Sequence, residues 1–314
     1  MACPDHVFTV PEGGEGTPSR VDTYIAKTLP KFSRSRVQRW IRQGHILVKG
    51  QKTEPAREVT GGEEIQITLP IEELSVLPEP LPINILYEDG QILVVDKPAG
   101  QVTHPAAKNF TGTLLNAVAH YLNRSPSLLW GKRVRHKGLR PGIVHRLDRE
   151  TSGVIVVAKD AKSLEILSRQ FEKRTVEKTY KVIVCGAVES KKGEITGAVG
   201  KDLSGRKMTV TAGGRFAKTD FKVLKKSSVY TYLEAYPRTG RTHQIRVHLE
   251  KIGHPVLGDP LYSKTSQKFP KMMLHAWKLE IDHPKTGKRL TFTAPLPEDF
   301  KKTLKRLMRK KLPP

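Results

Sequence analysis

The sequence predicts an α+β fold in two domains, on three observations. The chain has 314 residues, and at about 150 residues per domain that length suits two. A short stretch of helical periodicity comes first, ahead of a proline-rich acidic segment. A long succession of strand-like segments with scattered helices then follows. Those helices do not alternate one for one with strands, so a repeated βαβ architecture is not expected. Hydrophobic residues make up 37% of the chain, beside 25 glycines. That excludes wholesale disorder, and a chain this long buries about three quarters of its unfolded surface.

Residues 1–17, rich in Gly, Glu and Pro, are expected to form a flexible arm. Ser19 then reads as an N-cap, with Val21, Tyr24, Ile25 and Leu29 at helical spacing behind it and Pro30 as the stop. Ser33 caps a second helix. Val37, Trp40 and Ile41 form its apolar stripe, Arg39 and Arg42 fall on the opposite face, and Gly44 ends it. His45 to Val48, a Lys-Gly turn and Gln51 onward form a hairpin. Glu63 to Leu69 alternates, with Ile65, Ile67 and Leu69 on one side. Residues 18–77 therefore make a compact helix–helix–hairpin domain. Four prolines between Pro70 and Pro82 stiffen the acidic segment, and residues 78–82 are the linker.

The larger domain is expected over residues 83–300. Ile83 to Leu86 and Ile92 to Asp96 pair across Glu88-Asp89-Gly90-Gln91. Thr113 caps a helix bearing Leu114, Leu115, Val118, Tyr121 and Leu122 on one face. Ile143 to Arg146 and Val154 to Ala158 are short strands around a polar loop. Asp160 caps a helix carrying Leu164, Leu167 and Phe171. Strands are expected at Lys178 to Val184, Arg206 to Thr211, Ala217 to Leu224 and Tyr230 to Tyr236. Thr242 opens a helix with Ile245, Leu249 and Ile252 inward and Gly253 as its stop. Residues 301–314 are read as a basic tail.

Charge narrows the function. Lys and Arg number 55 against 31 Asp and Glu, a formal net charge of +24. Such an excess predicts a polyanionic partner, because neutralising phosphates releases counterions. The charge is clustered. Lys31 to Lys52 holds seven bases and no acid, Lys132 to Arg140 five and none, and Lys301 to Pro314 seven and none. Glu54 to Asp89 holds nine acids and one base, so its −8 leaves +32 for the rest. Arg34, Arg39, Arg42, Lys132, Arg133 and Arg135 are thereby candidate nucleic-acid-binding residues. Two cysteines, Cys3 and Cys185, cannot build a disulfide framework or a cysteine-based zinc site, which fits a reducing cytoplasm. The first ten residues lack a signal-peptide pattern, and the apolar stretches are too short to span a bilayer.

Three stretches carry chemistry. Gly142 to Gly153 places one carboxylate, Asp148, on a loop between apolar segments, with Arg146 and Arg149 on either side. A scaffolded loop is where catalytic groups are commonly displayed, and a carboxylate can serve as nucleophile. An Asp beside Arg is also a common structural ion pair. Tyr236 to His248 runs a Pro/Gly turn into a helix N-terminus, a setting that attracts anions. Arg246, next to the inward Ile245, can reach a carboxylate from another element; a basic surface helix is the plainer reading. Lys178 to Gly186 is a strand in which Tyr180 shares a face with Val182 and Val184. It can be core, or it can stack a base and offer a phenol.

Taken in order, these residues resemble the RluA/RluC/RluD-type RNA pseudouridine synthases. The resemblance runs from about Ile83 to Phe300. It rests on Asp96-Lys97-Pro98-Ala99-Gly100 through His104-Pro105, His145-Arg146-Leu147-Asp148 with Thr151-Ser152-Gly153, and Lys178 to Gly186. Thr239-Gly240-Arg241 with His243-Gln244-Ile245-Arg246, Gly253 to Asp259, Leu274-His275-Ala276 and Ala294 to Pro297 complete it. Residues 18–77 resemble an S4-like RNA-binding domain. The resemblance implies a mixed, largely antiparallel sheet with flanking helices and a central cleft. Asp148 would be the catalytic aspartate. Tyr180 would stack on the target base and is a candidate base for the carbon-five proton. Arg246 would pair with Asp148, and Arg146 would enter the RNA where the target uridine leaves the stack. No metal, cofactor or membrane is implied, the partner is RNA, and the chain is expected to act as a monomer. The reaction moves the ribose from uracil nitrogen one to carbon five without net hydrolysis. It needs one carboxylate where hydrolytic glycosidases generally pair two. Ribosomal RNA of the large subunit is the expected substrate. The alternatives are a transfer-RNA substrate, a non-catalytic RNA-binding or ribosome-assembly protein, and a DNA-binding regulator using Ser33 to Gly44.

Overall fold

The computed structural model describes residues 4, 6–13, 18–30, 32–68, 78–105, 111–122, 142–202, 204–205 and 207–307. The chain divides into two compact units, Met1–Ser75 and Val76–Pro314.

The first unit packs two helices on a small sheet. Strand β1 (His6–Thr9) pairs antiparallel with β6 (Glu64–Ile67), which pairs with β3 (Ile46–Val48), which pairs with β4 (Gln51–Lys52). The flexible arm expected over residues 1–17 is thus corrected at His6–Thr9. These residues complete the sheet edge and lead to the buried Val10. Ser19 is no cap either. It lies with Arg20 in β2 (Ser19–Arg20), paired with β5 (Glu58–Val59), and Arg20 takes the N-cap position of α1 (Val21–Thr28). Helix α2 (Arg34–Arg42) buries Val37, Trp40 and Ile41, as its spacing requires, and leaves Arg39 and Arg42 exposed. Lys49 and Gly50, both with positive φ, close the β3–β4 hairpin. Ile25, Trp40, Ile46, Ile65 and Ile67 meet in one core.

In the second unit β7 (Asn84–Glu88), β8 (Ile92–Lys97) and β9 (Ser152–Ala158) form an antiparallel run. Helix α3 (Leu114–Tyr121) covers one face of that run. Its Thr113 and Asn116 cap each other's backbone. Helix α4 (Ala161–Lys173), capped by Asp160, covers the other face. The sheet continues through β10 (Glu177–Cys185), β11 (Lys192–Lys201), β12 (Met208–Val210), β13 (Arg215–Lys226), β14 (Tyr230–Pro237) and β15 (Leu274–Asp282) in the order β12-β11-β13-β14-β10-β15-β9-β8-β7. The β15–β9 pair is parallel and every other pair in this sheet is antiparallel. Helix α5 (Gln244–Lys251) packs on the half beyond β10, β16 (Arg289–Thr293) pairs with β15, and α6 (Glu298–Leu307) closes the chain.

Three further expectations are corrected. Ile143 to Arg146 is not a strand: only Ile143 bridges, to Val157, and the rest is loop. Helix α5 starts after His243, not at Thr242, and Ile252 lies past its end and exposed. The basic tail begins later than residue 301. Lys301 to Leu307 belong to α6, where Phe300 is buried and Leu304 and Leu307 pack against Ile183, Phe269 and Met273. Strands β11, β15 and β16 and helix α6 escaped the sequence reading. In β11 three glycines interrupt the apolar alternation that marks a strand.

Candidate active site

The loop bearing Asp148 is braced from an earlier turn. Lys97, fully buried, donates to the carbonyls of Pro98 and Gln101 at 2.8 Å each and Arg149 at 3.2 Å. Burial lowers this ammonium to about 8, against the opposing pull of Asp148, Glu150 and Asp96. Thr103 Oγ1 donates to the Leu147 carbonyl at 2.9 Å, and the Gly100 amide donates to the Arg149 carbonyl at 2.7 Å. Both backbone ends of the Asp148 segment are therefore tied. Behind it, Gly153 has φ +120°, and a side chain there would overlap the Ala276 carbonyl on β15. Only glycine lets β9 lie against β15 at this point.

Arg246 reaches Asp148 from α5. Its Nη1 donates to Asp148 Oδ2 at 3.0 Å. The other side of the guanidinium is gripped bidentately by Asp259, Nε to Oδ2 at 2.6 Å and Nη2 to Oδ1 at 2.9 Å. Arg246 and Asp259 are both buried. Burial disfavours the charged arginine, but its bonds to Asp259 and the field of Asp148 more than compensate and hold it charged. Asp259 is itself fixed by the amides of Leu261 and Tyr262 at 2.9 and 3.1 Å. A planar fork held at two nitrogens presents its remaining N–H in one direction. Asp259 was visible only as part of a stretch of sequence. Its role depends on folding Gly258 and Asp259 back under α5.

Tyr180 sits where two cores meet, at an irregularity in the β10–β15 register between Thr179 and Tyr180. Burial, and secondarily Asp148, push its phenol well above the ordinary tyrosine value. His145 stacks on Phe171 with ring centroids 4.7 Å apart and accepts the Val156 amide at 3.0 Å. Burial and then Lys178 drive it down to about 3, so it is a neutral structural residue.

His145, Asp148, Tyr180 and Arg246 line a cleft of about 530 Å³, with His243 also on its wall. Arg146 stands exposed on its wall, with Arg174, Lys178, Arg215 and Arg241 around it. Among the described residues none of these five cations has an ion-pair partner. Unneutralised cations around a cleft attract a polyanion. In the first unit Arg42 is an exposed cation, whereas Arg34 is held by the buried Asp22 at 3.1 Å. Asp22 also accepts from Arg20 and Gln38. Burial alone would raise this carboxyl, but these bonds hold it far below the usual range. Arg34 is therefore tied into the fold of the unit. Lys132, Arg133 and Arg135 lie outside the described residues. Among the described residues no cluster of His, Cys, Asp and Glu is arranged to hold a metal ion, and no helix is long and apolar enough to cross a membrane.

Comparison with known proteins gives the same division. A family model described as RNA pseudouridylate synthase matches residues 91–251, and an S4 domain model matches residues 19–65. The uncharacterized RNA pseudouridine synthase YlyB of Bacillus subtilis is 39% identical over 92% of this chain and 94% of its own. The ribosomal large subunit pseudouridine synthase D of Nitrosomonas europaea is 41% identical over 93% of this chain and 85% of its own. Among solved structures, human RNA pseudouridylate synthase domain containing 1 superposes with a TM-score of 0.55 at 27% identity, over 68% of this chain and 83% of that chain.

Proposed function

Since the chain belongs to the RNA pseudouridylate synthase family, we propose that it isomerises uridine to pseudouridine in large-subunit ribosomal RNA with Asp148 as the catalytic carboxylate. One observation carries the assignment of Asp148. It is the carboxylate in the cleft beside Tyr180 that is held by an arginine which a second, buried aspartate fixes in turn. Asp259 has both oxygens committed to Arg246 and to backbone amides. Asp148 is bonded through Oδ2 and its side chain is partly exposed, which leaves it open to a ligand.

The roles of the other groups come from where they stand. Uridine must leave its stack to reach a carboxylate at the base of a cleft, at a cost of a few kcal/mol. The exposed Arg146 is suited to fill the gap left in the RNA, and Tyr180 offers its ring to the extruded base. Arg246 keeps Asp148 oriented. The unpaired cations around the cleft and Arg39 and Arg42 in the S4 unit grip phosphates. Large-subunit ribosomal RNA is favoured because relatives sharing most of this chain's length carry that substrate in their names. The chain acts on it as a monomer in the cytoplasm, without metal or organic cofactor.

The test uses Asp148→Asn, which keeps the size of the side chain and the contact with Arg246. RNA from cells lacking this protein, labelled with tritium at carbon five of uridine, is supplied to the wild type and the variant. The wild type should release label to water and the variant should release none above background. A variant as fast as the wild type would remove Asp148 from the chemistry. Mapping pseudouridine in the same RNA before and after treatment identifies the target. Conversion confined to transfer RNA would overturn the ribosomal assignment.

A further inference from the structure

On the isomerase reading Asp148 and Tyr180 meet one uracil, so the strands that carry them must keep a fixed spacing. The Asp148 loop runs into β9 at Ser152, with the Thr151 amide closed onto the Asp148 carbonyl at 3.1 Å. Tyr180 lies on β10. Strand β15 stands between these two strands and meets both at the same two residues. His275 faces Ser152 on one side and Lys181 on the other, and Ala276 faces Gly153 and Tyr180. The parallel contact with β9 is only these two pairs long. Backbone pairing this short leaves the end of the Asp148 loop dependent on a further fastening.

The His275 side chain supplies it. Its Nδ1 lies 2.8 Å from Ser152 Oγ, and its Nε2 lies 3.3 Å from the Ala294 carbonyl. A carbonyl only accepts, so Nε2 carries a hydrogen. The ring is fully buried and has no ion-pair partner among the described residues. Burial lowers it to about 4, against the opposing bond to Ala294, and so keeps it neutral. A neutral ring with its hydrogen on Nε2 accepts at Nδ1, and the Ser152 hydroxyl donates to it. Ser152 is buried as well, and neither residue lines the cleft. The pair is out of reach of a substrate there. It ties the end of the Asp148 loop to the strand that separates that loop from Tyr180. Through Ala294, just past β16, the same imidazole also holds the far side of β15.

We propose that Ser152 and His275 are positioning residues for the isomerisation, the hydrogen bond between them holding Asp148 at its working distance from Tyr180. The inference rests on the isomerase reading. A misplacement of about 1 Å at a reacting group costs on the order of 100-fold in rate. RNA is gripped by cations elsewhere on the surface, so loss of this bond falls on the chemical step and spares affinity.

The experiment compares wild type, Ser152→Ala, His275→Asn and His275→Gln under single turnover, on RNA from cells lacking this protein. RNA affinity is titrated separately. An asparagine amide reaches where Nδ1 stands, so it keeps the bond to Ser152 and gives up Ala294. A glutamine amide reaches where Nε2 stands, so it keeps Ala294 and gives up Ser152. Ser152→Ala and His275→Gln should form pseudouridine about 10-fold more slowly or worse, with RNA affinity within about twofold of the wild type. His275→Asn should stay within about threefold of the wild-type rate, because the bond that matters is kept. Ser152→Ala combined with His275→Gln should be no slower than either alone, since both remove one contact. Equal rates in the two histidine variants would overturn the proposal, because a merely structural imidazole does not distinguish its two nitrogens. Ser152→Ala at the wild-type rate would overturn it too, and that variant decides if the histidine variants fail to fold. No pseudouridine from the wild type would overturn the isomerase reading and the proposal with it. An active wild type beside equally active variants overturns the proposal alone.

Discussion

Asp259 shows how much of this candidate site hangs on one buried residue that does not itself line the cleft. A buried arginine is stable only if its charge and its donors are met, and Asp259 meets two of those donors at once. Asp259→Asn should cost about 3 kcal/mol, because it leaves a buried guanidinium half compensated. At roughly 2–4 °C per kcal/mol for a unit of this size, thermal unfolding would show the loss directly. Activity should fall further than stability does, since Arg246 would be free to turn from Asp148. A variant that melts lower yet keeps its full rate at permissive temperature would show that the clamp serves the fold alone. At this scale the candidate chemistry was legible in part. Asp148, Tyr180, Arg246 and Arg146 all line one cleft. Arg34 reads as an RNA contact in a basic run but is engaged by Asp22, a partner twelve residues away that only packing brings to it. Asp259 was unreadable because its partner, Arg246, lies across a turn of the chain.

Among the elements, the parallel β9–β15 contact is the joint on which the site turns. It brings the Asp148 loop, which ends in β9, beside β15 and so beside β10 with Tyr180. Gly153 permits it. Gly153→Ala should therefore be far worse than Gly100→Ala, although both glycines have positive φ. A side chain at Gly100 would meet nothing within 4 Å, so only backbone strain of about 1 kcal/mol is expected there. At Gly153 strain and overlap with the Ala276 backbone combine, and on the order of 3 kcal/mol or more should be lost. Denaturant midpoints of the two variants make the comparison, and equal midpoints would deny Gly153 its special place. Most helices were readable from apolar spacing and caps, as with Thr113 before α3 and Asp160 before α4. β15 and β16 were not. In β15 Lys278 to Asp282 alternates, with Lys278 and Glu280 paired on one side, but the strand opens on a wholly buried run, Leu274 to Ala276, that does not.

For the molecule as a whole, the net charge of +24 includes cations bound into the fold and cations without an ion-pair partner among the described residues. Cations such as Arg20, Arg34 and Arg246 are engaged with buried carboxylates. Arg42 on α2 and the five around the cleft are not. Arg39→Glu with Arg42→Glu should weaken RNA binding at every sequence. It should also reduce the slope of log affinity against log salt by roughly 1.5, the share of two phosphate contacts. Titration at several salt concentrations reads both, and an unchanged slope would make this helix face a solvated surface only. The sequence by itself determined the fold class, the helix faces, the basic regions and the family, because each is written in local spacing, composition or contiguous motifs. Only the tertiary structure decided that Asp148 faces Arg246, that Asp259 holds that arginine, and that His243 lies 4.0 Å from the same carboxylate. These are contacts between residues far apart in the chain. Their geometry is set by sheet order, one glycine-permitted strand contact and buried hydrogen bonds, none of which has a local signature.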